Sequence, residues 1–75
     1  MSRSVVLFHT ISAALRAEKL LLATGWPIQL IPTPRQFSSD CGVALRFETV
    51  RRPEVERRLA EARLDVELRD LPGPE

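Results

Sequence analysis

The sequence predicts an α+β domain of β-α-β-β-α-β order, the ferredoxin-like split βαβ arrangement. Three observations carry this reading. Four short runs have the length and apolar patterning of strands: "SVVLFH" at 4–9, "PIQLI" at 27–31, "VALRFE" at 43–48 and "LDVEL" at 64–68. Helix-forming stretches separate the first run from the second and the third from the fourth. Between the second and third runs the composition is that of a loop. Such a chain predicts one four-stranded antiparallel sheet, in spatial order 4-1-3-2, with two helices on one face.

Each element has its own warrant. The first run is rich in β-branched and aromatic residues, as in a buried strand. Residues 11–24, "ISAALRAEKLLLAT", are dominated by Ala, Leu, Glu, Lys and Arg. Thr10 or Ser12 supplies an N-cap there, and Gly25 is placed to stop the helix. On a helical wheel Ile11, Ala14, Leu15, Leu21 and Leu22 share the predicted core face, with Glu18 in its middle. Glu18 is then expected to reach the rim or to pair with an arginine, Arg46 being the candidate. Residues 32–42, "PTPRQFSSDCG", form a long loop for so small a domain, and long loops are often functional. In the third run Val43, Leu45 and Phe47 alternate with Ala44, Arg46 and Glu48, the pattern of a half-buried strand. Pro53 suits the first turn of the second helix, along which Val55, Leu59 and Ala62 recur on one face. The expected domain is residues 1–69, with 70–75 as a polar tail.

Composition narrows the function classes. The chain has 75 residues, enough for one domain and a small core. Its 11 basic and 10 acidic residues nearly cancel, so no broad positive field attracts a phosphate backbone. Arg51-Arg52 and Arg57-Arg58 are interleaved with Glu54, Glu56 and Glu61, as on a solvated helix face. The aromatic pattern of RNA-binding sheets is missing, and the chain contains no Tyr. The apolar runs are too short for a secretory signal core or a membrane span. A single cysteine forms no internal disulfide and no metal framework. The chain therefore reads as cytoplasmic, with neither nucleic acid nor membrane as partner and no cofactor. It offers no paired carboxylates at a pocket and no phosphate-cradling glycine loop, which disfavours an autonomous enzyme. A metallochaperone of this strand order needs two thiols, available here only if two copies of Cys41 meet.

The topology gives Cys41 its neighbours. Strands one and three are antiparallel, so the end of the first lies beside the start of the third. His9 and Thr10, the N-terminus of the first helix and the "SSDCG" loop should converge at one end of the sheet. A helix N-terminus and a nearby imidazolium favour a thiolate, the nucleophilic form of cysteine. Free N–H groups at the helix start suit an anionic persulfide or selenide. Gly42 removes a side chain next to the sulfur and allows close backbone approach. Asp40 opposes a thiolate unless it is turned outward or paired with Arg35 or Arg46. Plainer readings stand beside these. A free cysteine often behaves as a small core hydrophobe. Ser38, Ser39 and Asp40 suit turn chemistry alone. His9 suits a structural role, and Arg35 an exposed loop charge.

Four segments together resemble a known family: Phe8-His9-Thr10, "ALRAEKLL" at 14–21, "IPTPR" at 31–35 and "SSDCGVALRF" at 38–47. The chain resembles the small selenium/sulfur carrier-like proteins of the DUF3343 family. The resemblance runs nearly continuously to Glu48 and is most specific over the proline–arginine and "SSDCG" block. The second helix and last strand match in pattern alone, and Thr10 stands where Ser is common. The resemblance implies a carrier in which Cys41 holds sulfur or selenium as a persulfide or selenopersulfide. It also implies donor and acceptor proteins, such as a cysteine desulfurase. His9, Thr10, Arg35, Ser38, Ser39, Asp40 and Gly42 are the expected supporting residues. The alternative is a regulatory module of the same fold that binds proteins or small ligands, and a homodimer is compatible with either.

Overall fold

The computed structural model describes residues 2–37 and 39–72. Along the chain it places β1 (Arg3–Phe8), α1 (Ile11–Leu22), β2 (Ile28–Pro32), β3 (Val43–Glu48), a 3-10 turn (Thr49–Arg51), α2 (Arg52–Glu61) and β4 (Val66–Asp70). The strands form one antiparallel sheet in the order β2-β3-β1-β4, the predicted split βαβ topology. In the register Val6 lies opposite Leu45 and Leu68, and Leu30 lies opposite Leu45. These side chains share the helix-covered face, where Phe8, Phe47, Val55 and Leu59 complete the main core.

Local chemistry delimits α1. Thr10 is extended, and its Oγ1 accepts from the Ala13 N–H at 3.1 Å, satisfying one of the unpaired first-turn donors. The helix ends at Leu22, two residues before the predicted limit. Thr24 Oγ1 donates to the Leu21 carbonyl at 2.6 Å, and Gly25 then adopts φ +82°, where a side chain would be strained. The C-terminal stop therefore involves both residues. Pro53 lies in the first turn of α2, as its missing N–H allows.

The predicted core face of α1 needs correction. Ala14, Ala17 and Leu21 are buried, whereas Ile11, Leu15 and Leu22 are 56%, 53% and 57% exposed. The two stripes differ by about 100° around a 3.6-residue helix. Two small alanines on the inward stripe let the helix backbone lie close to the sheet, which turns the bulkier stripe out. Glu18 does not pair with Arg46: that guanidinium lies on the opposite face of the sheet, where Nη2 donates to Gln29 Oε1 at 2.6 Å.

The face without helices is partly covered as well. Val5, Leu7 and Ala44 form a second buried cluster, against which Ile31, Phe37 and Leu71 pack. Phe37 comes from the long loop and Leu71 from just beyond β4. This explains why "VVLF" is apolar without alternation: β1 is central and covered on both sides.

The last strand reaches into the stretch read from sequence as tail. Asp70 pairs with Ser4 in the register, and the Leu71 N–H donates to the Arg3 carbonyl at 2.8 Å. Asp70 Oδ1 accepts from Ser4 Oγ and from Arg52 Nη1, both at 2.7 Å. The sheet thus includes Asp70, with Leu71 bonded just beyond it, while residues 73–75 lie outside the described residues.

Candidate functional site

The loop between β2 and β3 is held to the sheet end by hydroxyl groups. Ser39 Oγ donates to the Phe8 carbonyl at 2.7 Å and accepts from the Cys41 N–H at 3.2 Å. Thr33 Oγ1 donates to the Cys41 carbonyl at 2.9 Å, and the Thr33 N–H donates to the Gly42 carbonyl at 3.0 Å. The last bond continues the β2–β3 ladder one step beyond the Pro32–Val43 pair. Cys41 is therefore fixed through its backbone from two directions, by its own loop and by the end of β2.

His9 follows β1 at this edge, and its Nδ1 lies 3.2 Å from Asp40 Oδ2. On its other side Nε2 lies 3.7 Å from Asp65 Oδ2, just before β4. A single ring spans the cysteine loop and the entry to the last strand. The groups are more than half exposed, so each contact contributes little to stability by itself. Asp40 thus has His9 as its partner, in place of Arg35 or Arg46. Arg35 is exposed and makes no side-chain hydrogen bond or salt bridge among the described residues. Ser38 lies outside the described residues.

The thiol itself is covered. Cys41 is 5% exposed and belongs to the same buried cluster as Phe8, Ala14 and Leu45. Its neighbours Asp40 and Gly42 are exposed. A shallow cavity of about 210 Å³ opens beside the loop, lined by Leu7, Phe8, His9, Ser39, Asp40 and Glu67. Cys41 is not among its lining residues. At rest, then, the cysteine packs as a small apolar side chain immediately under a polar, accessible lip.

One sequence expectation changes at this point. A Cβ added at Gly42 would meet nothing within 4 Å, so no close backbone approach requires glycine there. Thr10 Oγ1 caps α1, the role the sequence predicts for it. Thr33 and Asp65 were missed by the sequence reading. Thr33 was recognisable only as the residue extending the β2–β3 pairing, and Asp65 carried no local signal. Among the described residues no group of three or more His, Cys, Asp or Glu is placed to hold a metal ion. No helix among them is long and apolar enough to cross a membrane.

A comparison with family models matches residues 3–68 to the family described as "Putative Se/S carrier protein-like". The chain belongs to this family. The match extends past Glu48, where the motif resemblance ends, and takes in α2 and most of β4. No curated protein and no solved structure matches the chain. In this member of the family the sole cysteine stands on a loop tied down at the end of the sheet.

Proposed function

We propose that this protein carries sulfur or selenium on Cys41, as a persulfide or selenopersulfide, between a donor and an acceptor protein. The observation that supports this best is the position of the only cysteine in a carrier-like chain, under the exposed lip of the β2–β3 loop. The chemistry balances without a cofactor. The Cys41 thiolate attacks the outer sulfur of a donor persulfide. A new S–S bond forms on Cys41, the donor S–S bond breaks, and the donor leaves as its thiolate. The thiol proton passes to solvent, and the transferred sulfur keeps its oxidation level. Delivery repeats the displacement with Cys41 as the leaving thiolate. The protein acts stoichiometrically, in the cytoplasm, and turns over no substrate of its own.

Burial of the thiol adds a condition: the loop must open for a donor to reach it. Ser39 and His9 act as positioning residues, Ser39 through its bonds to Phe8 and Cys41 and His9 through Asp40. Local opening of a hydroxyl-tied loop is far easier than global unfolding. Thr10, Arg35 and Gly42 complete the proposed site, together with Ser38, which lies outside the described residues.

Incubation with a cysteine desulfurase and cysteine, followed by intact mass measurement, tests the reading. We expect an addition of about 32 Da, reversed by reductant and lost in Cys41→Ser. An unchanged mass under donor excess overturns it. A second reading, a protein-interaction module, is favoured by the exposed Ile11, Leu15 and Leu22 on α1. It predicts that Cys41→Ser retains every partner contact and the cellular phenotype.

A further inference from the structure

The end of the sheet farthest from Cys41 carries a polar concavity on the face without helices. Alternation along the strands places Arg3 with Val5 and Leu7, Gln29 with Ile31, and Arg46 and Glu48 with Ala44. The register sets Arg3 opposite Glu48 and Gln29 opposite Arg46. Arg3, Gln29, Arg46 and Glu48 line a cavity of about 140 Å³, together with the apolar Pro27, Ile28 and Phe47.

The donors in this cavity are not used up. Arg46 Nη2 donates to Gln29 Oε1 at 2.6 Å, which orients the guanidinium and leaves its other N–H groups available. Arg3 Nη1 is buried and has no hydrogen-bond partner among the described residues. A buried guanidinium N–H without an acceptor is unfavourable, and few such groups occur in folded proteins. Glu48 lies across from Arg3, yet no salt bridge joins Glu48 to either arginine.

We propose that this cavity binds a carboxylate group between Arg3 and Arg46. Two guanidinium groups against one Glu48 carboxylate leave a single net positive charge, which matches a monoanion better than a phosphate dianion. A planar carboxylate accepts the paired N–H groups that a guanidinium presents. The volume suits one functional group and is well below that of pockets holding whole cofactors. The ligand is a small carboxylic acid or the acidic group of a docked peptide. This site shares no residue with the Cys41 loop, so it stands or falls independently of the carrier reading.

Amide correlation spectra of the full chain test the proposal, with ionic strength held constant by sodium chloride. The probes are acetate, N-acetyl-triglycine and the amide of that peptide. The acids should shift Arg3, Gln29, Arg46 and Glu48 saturably, and the amide should not. A response to acetate assigns a small acid as sufficient, and a response to the peptide acid alone assigns a chain terminus or acidic side chain. Arg46→Gln should weaken binding about tenfold or more. Glu48→Gln should tighten it severalfold, an effect that damage to the fold does not produce. Equal shifts with acid and amide, indifference to both substitutions, or stronger binding of inorganic phosphate than of acetate each overturn the assignment.

Discussion

At the residue scale Ser39 has the widest reach. One hydroxyl closes the loop onto Phe8 and holds the Cys41 N–H, so a single oxygen joins the end of β1 to the thiol-bearing backbone. Ser39→Ala removes both bonds and should cost about 1–2 kcal/mol, given the usual net worth of such bonds. It should also speed alkylation of Cys41, which is 5% exposed, by iodoacetamide under native conditions. Comparing native and urea-denatured alkylation rates in both proteins checks this. An unchanged native rate would show that Ser39 does not hold the lip shut. Trp26 shows a different economy of placement: Arg51 and Arg58 lie over its ring at 5.4 and 5.6 Å. Two of the cations that the sequence assigns to a solvated helix face thus help cover an aromatic side chain.

At the element scale α1 separates pattern from packing. Its helix formers and Thr10 cap favour a helix from local sequence alone. Which side turns inward depends on the sheet, and the sheet accepts Ala14, Ala17 and Leu21. Leu21→Ala should therefore destabilise the domain by about 2–5 kcal/mol, the range for emptying a core leucine site. Leu15→Ser, on the exposed stripe, should change stability by no more than about 0.5 kcal/mol. Chemical denaturation of the two variants distinguishes the observed orientation from the one that the wheel suggests. A large loss for Leu15→Ser would return that residue to the core.

At the scale of the whole molecule, the polar network of Ser4, Thr49, Arg52 and Asp70 ties β1, the 3-10 turn, α2 and β4 together. The hydrogen bond from Ser4, then that from Arg52, lowers the Asp70 carboxyl below its ordinary value of 3.8, against a smaller opposing effect of burial. A depressed carboxyl contributes stability above its unfolded value and loses it as pH falls through the folded one. Asp70→Asn should therefore destabilise the protein at neutral pH, and the difference from the parent should shrink as the solution is acidified below about pH 4. Urea midpoints measured across that range check the sign. A difference independent of pH would show that Asp70 acts through shape alone.

Much of the fold was legible in the sequence because its signals are local. The strand patterning, the Thr10 cap, the Pro53 start and the loop composition each act within a few residues, and β-α-β-β-α-β order then restricts the topology. The same order brought His9 and the Ser39–Cys41 segment to one sheet end before any distance was known. Other features depend on residues far apart in sequence. Asp40 meets His9 across 31 positions, Phe37 folds back over Val5 and Leu7, and Arg46 turns away from Glu18 to Gln29. The sequence alone determined the elements, their order and the edge at which the lone thiol stands. Only the tertiary structure decided that the thiol is covered and which helix stripe is buried. Burial and pairing are set by the mutual fit of distant surfaces, which no local stretch of chain contains.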